Sequence, residues 1–96
     1  MSSFRLTVKA VEDLKSIGRF TEKKWGRDQR NRYLAMLDSS FKSISHQPGI
    51  GTMCDYIRQG YRKYHVGRHL VFYRENGKHI EIIRVLHDSM DIERHF

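Results

Sequence analysis

The chain has one cysteine, one proline and one tryptophan in 96 residues. A lone Cys54 can neither close an internal disulfide nor seed a thiolate metal cluster, so the sequence points to a reducing, cytoplasmic compartment. One proline beside seven glycines excludes a collagen-like or low-complexity polypeptide. No run approaches the ~20 apolar residues that cross a bilayer, so no membrane is expected as a partner. The opening "MSSFRLTVKAVEDL" also lacks the unbroken apolar stretch of a secretory signal. Acidic residues are the scarce charge: 11 Asp and Glu stand against 18 Lys and Arg, a formal net charge of +7. Such an excess favours acidic partners, or simply keeps a small protein in solution. A chain of this length is expected to form one domain, residues 1–96, with a modest core.

What is present is periodic. Residues 4–8, "FRLTV", alternate apolar and polar and predict a strand. Thr7 is placed to cap a helix that begins near Val8. Val11, Leu14, Gly18, Thr21 and Trp25 then follow a three-four spacing, with Trp25 expected as a core anchor and Gly26 as the helix stop. A second helix from about Arg27 carries Leu34, Leu37, Phe41 and Ile44 on one side. It ends at "HQPGIG", where Pro48 disfavours helical geometry at Gln47. The joint between the helices is short enough to force an antiparallel hairpin. "GTMCDYIRQG" reads as a connector with a brief strand over 56–58. Strands over 61–66, 68–74 and 79–86 follow, with Gly67 turning the first pair and "ENGK" the second. The tail "SMDIERHF" suggests one helical turn. The fold class is α+β: an N-terminal strand, then an antiparallel two-helix hairpin on one face of a small mixed sheet, then a C-terminal three-stranded meander.

Strand parity raises a question of cover. In the middle strand Leu70 and Phe72 point one way while Val71 and Tyr73 point the other. By strict alternation Ile80, Ile82 and Leu86 oppose Ile83 and Val85. Both faces are therefore apolar, and two helices cover only one. Three covers are open for the second: a partner segment, a second copy of the chain, or the connector and residues 90–96.

Trp25-Gly26 at the first helix end, Tyr33-Leu34 in the second helix, "IRQGYRKYHVGRHLVFYR" and "IEIIRVLHDSMD" together resemble the ParE toxins of bacterial toxin–antitoxin modules, within the RelE/ParE superfamily. The resemblance runs from about Phe4 to Phe96, and "GRHLVFYR" and "RVLHDSMD" are its specific part. It implies a toxin without enzymatic activity or cofactor that inhibits DNA gyrase and blocks replication. It also implies neutralisation by a ParD-like antitoxin, with a ribbon-helix-helix part that binds DNA and a C-terminal segment that wraps the toxin. DNA would then be met only indirectly. Leu70, Phe72, Ile80 and Ile82, or their neighbours of opposite parity, are the expected antitoxin contacts. Arg58, Arg62, Arg68, Arg74, Arg84, His87 and Arg94 are the expected target contacts, concentrated in the sheet half, and the tail "RVLHDSMDIERHF" is expected to project from the sheet edge.

RelE-type relatives are ribosome-dependent mRNA endonucleases, which is the alternative; a non-toxic, complex-forming member is another. RNA cleavage needs a base, an acid and cations for the phosphorane. Laid on that pattern, the chain offers Gly60, Arg62, His69 and Asp88, of which only Arg62 keeps the charge. His87 is expected to bond the tail, and Arg84 to pair with an acid such as Asp88 or Asp91. His65 and His69 are expected at the rim of the Gly67 turn. No histidine pair stands at helical i, i+4 spacing, so no metal is expected.

Overall fold

Thr7 is where the first strand becomes the first helix, and its hydroxyl does two things there. It accepts a bond from the Ala10 N–H at 3.0 Å, capping the helix, and donates to the Ile83 carbonyl at 2.7 Å. One short side chain therefore ties the start of a helix to the last strand of the sheet. In this computed structural model, which describes residues 3–96, two helices lie on one face of a five-stranded mixed sheet. The elements are β1 Phe4–Leu6, α1 Val8–Trp25, α2 Arg27–His46, β2 Thr52–Met53, β3 Arg62–Val66, β4 His69–Asn76 and β5 His79–His87. Short 3₁₀ turns occupy Pro48–Ile50 and Ile92–His95. The strand order is β1-β5-β4-β3-β2, with β1 parallel to β5 and the other pairs antiparallel. The α+β expectation is met, including the tail turn.

Gly26 joins α1 to α2 at φ 95, a conformation that L side chains rarely adopt, which explains why the hairpin turns on one residue. The buried stripe of α2 is Leu37, Phe41 and Ile44, as the spacing predicts. That of α1 is Ala10, Ile17, Gly18 and Thr21. Trp25 is 65% exposed, not a core anchor, because the last turn of α1 runs on beyond Thr21, the final residue that α1 buries.

Two further expectations need correcting. The connector's strand is Thr52–Met53 rather than 56–58. The Ile57 and Tyr61 N–H groups instead close turns onto the Cys54 and Arg58 carbonyls. The alternation along β5 also breaks once: Tyr73 faces Ile82 but Phe72 faces Arg84, so Ile83 is an extra residue. Beyond the bulge, Val85 joins Ile80 and Ile82 beneath the helices, while Leu86 joins Phe72 and Ile83 on the other face. The bulge falls where β1 ends and Thr7 takes the Ile82 and Ile83 carbonyls, so beyond that point β5 is paired with β4 alone.

The second face is covered by the chain itself. Cys54, Tyr61, Phe72 and Leu86 are buried together, with Ile57, Leu70, Ile83 and Ile92 against them. Phe96 sets its ring edge-on to Phe72 at 5.0 Å and to Tyr61 at 5.9 Å. An obligatory outside cover is therefore not required, and the tail folds down instead of projecting. Leu70 and Phe72 also lie on the opposite face from Ile80 and Ile82. Those four residues form no common docking surface, and Phe72, Ile80 and Ile82 are buried within the chain.

Candidate functional site

The β3–β4 turn gathers His65, His69, His87 and Asp88, which sequence reading singled out. Gly67, at φ 58, opens the two-residue loop, and a Cβ there would stand 2.8 Å from the Tyr33 hydroxyl. Tyr33 reaches down from α2 and accepts the Arg68 N–H at 3.0 Å. Its oxygen lies 2.5 Å from His69 Nδ1. The phenol oxygen keeps a second acceptor site beside the Arg68 N–H, so the direction of its bond with Nδ1 follows the tautomer of His69. Burial, then the His87 charge, lowers the His69 pKa to about 4. Burial chiefly raises that of Tyr33. Both groups are neutral at physiological pH.

Across the sheet His69 pairs with His87, and the two rings meet edge-on at 5.3 Å. His87 Nδ1 is bonded by the Ser89 N–H at 3.1 Å and lies 2.7 Å from its hydroxyl. Asp88 holds the group together: its N–H donates to the Arg68 carbonyl at 2.9 Å. Its carboxylate lies 3.1 Å from His65 Nε2 and 3.4 Å from His87 Nδ1. The expectation that His87 bonds the tail is met through Ser89.

This cluster is poorly built for cutting RNA. Arg62 stands four residues along β3 from Val66, which pairs with His69, so they are separated by about 13 Å of strand rise. The Arg62 guanidinium is also committed to the Gly51 carbonyl at 2.8 Å. Cys54 offers no nucleophile, since it is fully buried and burial pushes its thiol pKa up.

The neutral His69 makes the fold acid-sensitive. An unfolded histidine takes its proton near 6.5, whereas folded His69 resists it until about 4. Its contribution is therefore whole above pH 6.5 and lost as pH falls toward 4, about 1–2 kcal/mol once residual solvent contact is allowed for. His69→Asn, whose amide falls at the place of Nδ1 and keeps a partner for Tyr33, should flatten that slope. Urea midpoints of both chains across the window check this.

A second constellation joins the tail to α1. The Arg84 guanidinium grips Asp13 through two bonds, 2.8 and 2.9 Å, while the Val85 N–H donates to the same carboxylate at 2.9 Å. A third nitrogen bond from Arg84 reaches the His95 carbonyl at 3.1 Å. The Asp13 bond is the main cause that raises the Arg84 pKa. Beside this latch lies a groove of about 470 Å³ lined by Thr7, Val8, Ile83, Arg84, Arg94 and Phe96 among others. Val8, strongly exposed, forms one wall and the Phe96 ring another.

A family model described as the ParE toxin of the type II toxin–antitoxin system parDE matches residues 4–92. The chain belongs to the ParE toxin family. It is 40% identical over 95 residues to "Toxin ParE1" of Caulobacter vibrioides, covering 99% of this chain and 98% of that one. It is 40% identical over 94 residues to "Toxin ParE1" of Mycobacterium tuberculosis, covering 97% and 96%. "Toxin ParE" of Escherichia coli is 28% identical over 93 residues, covering 96% and 90%. A chain of the chromosomal ParDE TA system from P. aeruginosa superposes with a TM-score of 0.79 at 21% identity, covering 91% of this chain and 96% of that one. That likeness concerns the fold.

On this ParE-family chain the seven expected target contacts divide sharply. Arg84 is engaged with Asp13, not with Asp88 or Asp91, and its side chain is only 14% exposed. Arg62 serves Gly51, and Arg74 pairs with Glu81 at 2.8 Å. His87 is held by Ser89. Arg58 and Arg68 are exposed and form no ion pair among the described residues. Arg94 is exposed, with Asp91 at 3.6 Å. Sequence reading missed Asp13 and the role of Tyr33. Asp13 had a signal: it falls three residues after Ala10 and four before Ile17, an acid at the margin of the apolar stripe. Tyr33 had none, because its partner is 36 residues away.

Proposed function

We infer that this ParE-family chain is a toxin domain that inhibits DNA gyrase in the cytoplasm without catalysing a reaction of its own, and that a ParD-like antitoxin neutralises it. One observation carries the choice against RNA cleavage. The turn that resembles the nuclease centre holds a neutral His69 sealed by Tyr33 and the Asp88 carboxylate between His65 and His87. A phosphorane needs positive charge there, and a carboxylate repels it.

The antitoxin's extended segment fits the groove beside the tail better than it fits the closed second face. That groove offers the apolar walls of Val8, Ile83 and Phe96 with Lys9 and Arg94 at its margin, which suits a peptide of mixed apolar and acidic side chains. Arg58, Arg68 and Arg94 remain available to steer an acidic surface on the target.

The test pairs a gyrase supercoiling assay with an mRNA cleavage assay on translating ribosomes. Supercoiling should fail while mRNA stays whole, and adding antitoxin should restore it. Cleaved mRNA with normal supercoiling overturns the reading. Hydrogen exchange with antitoxin should protect Ile83 and the tail at 92–96, and protection confined to the α1–α2 joint would reject the groove.

A further inference from the structure

The tip of the helix hairpin combines two features that neither the core nor the toxin reading uses. Phe20 and Trp25 are 63% and 65% exposed, the most open aromatic rings of the hairpin. Around them the segment 19–32 carries Arg19, Lys23, Lys24, Arg27, Arg30 and Arg32 against Glu22 and Asp28. Six cations less two anions give +4, more than half of the chain's +7 in 14 residues. Among the described residues only Arg30 of these six is paired with an acid, Glu22. The Lys24 ammonium stands between the rings, 5.6 Å from the Phe20 centroid and 5.5 Å from that of Trp25. A recess of about 560 Å³ opens beside Trp25, bounded by Asp28, Gln29 and Arg32.

We propose that this tip binds single-stranded nucleic acid, with unpaired bases stacked on Trp25 and Phe20 and the backbone phosphates held by Lys23, Lys24, Arg27 and Arg32. Flat exposed rings interleaved with cations match that ligand on both counts, since every base has a π-face and every linkage a charge. An acidic protein would use the cations and leave the rings wet. An anionic membrane surface asks for a continuous apolar helix face, and here the apolar face of α1 is spent on the core. A duplex hides its base faces and would leave both rings unused. The direct contact inferred here is separate from contact with DNA through an antitoxin, and it stands or falls independently of gyrase inhibition.

Trp25 is the only tryptophan, so its fluorescence reports the site without a label. Titrating the full chain with an oligothymidylate of about 15 nucleotides should quench it. The affinity should fall with salt at a logarithmic slope of about −2 to −3, as expected for three or four phosphate contacts. Trp25→Ala and Phe20→Ala, read by anisotropy of a labelled oligonucleotide, should each weaken binding about tenfold. Both rings are exposed, so circular dichroism and the melting temperature should stay unchanged. Lys23→Glu with Arg27→Glu should flatten the salt slope while the rings remain. Polyglutamate and phosphatidylserine vesicles serve as the competing anions. The proposal is overturned by absent quenching at about 50 mM salt, by full affinity in Trp25→Ala, or by equal quenching from either competitor.

Discussion

Asp13→Ala should destabilise the fold by about 3 kcal/mol, the lower end of what breaking one side of a buried ion pair costs. Asp13 and Arg84 are 13% and 14% exposed at their side chains, so water compensates little when the carboxylate goes. The substitution strands two donors together: the Arg84 guanidinium and the Val85 N–H, which lies beyond the end of the β1–β5 pairing. Arg84→Met should cost less, because Asp13 keeps the Val85 N–H. The double variant Asp13→Ala/Arg84→Met should recover much of the loss, since it leaves no uncompensated charge. Urea unfolding of the three variants supplies the cycle. A loss below about 1 kcal/mol for Asp13→Ala would mean that the pair behaves like a surface one. Because Arg84 also holds the His95 carbonyl, hydrogen exchange across Ile92–His95 should speed up in the same variant.

A comparable loss is expected at the other edge of the sheet. Gly51→Ala would set a Cβ 2.5 Å from the Tyr73 hydroxyl and 2.7 Å from the Lys63 carbonyl. The Lys63 carbonyl belongs to the backbone of β3 and cannot swing away, so the expected loss is about 3 kcal/mol. Tyr73 explains why the chain passes so close. Its hydroxyl accepts the Gly51 N–H at 2.8 Å and donates to the Pro48 carbonyl at 2.7 Å, while the ring is fully buried. Burial raises its pKa, which keeps the phenol proton available for Pro48. Tyr73→Phe strands both backbone groups and should cost about 2 kcal/mol. In the double variant the clash with Lys63 persists, so the two losses should fall short of additive without cancelling. Thermal melts of the two single variants and the double variant check this, and a Gly51→Ala chain as stable as the parent would refute the packing account.

The elements themselves were legible because their signals are local. Thr7 caps where a threonine before a periodic run should cap, and Gly26 and Gly67 mark turns that need positive φ. Leu37, Phe41 and Ile44 fall on one side of α2 through a spacing that any helix imposes. The site was less legible. His69 and His87 were each noticed, yet their contact depends on the register of β4 against β5, and the Tyr33 bond depends on where α2 crosses the turn. A one-residue bulge at Ile83 reassigned Val85 and Leu86 between faces, and nothing in "IEIIRVLH" announces it; the Thr7 hydroxyl that bonds the Ile83 carbonyl is 76 residues away.

Helix and strand periods, caps, turns and net charge follow from the order of residues, since each acts over a few positions or over none. Whether the second sheet face stays bare was a different kind of question. The residues that close it, Cys54, Tyr61, Ile92 and Phe96, come from two distant segments, and only their folding onto Phe72 shows that no outside cover is needed. Trp25 taught the opposite lesson: a ring on the expected stripe stayed in water because α1 extends past the core it packs on. Burial is a property of where elements end relative to one another, and that distance is settled by packing.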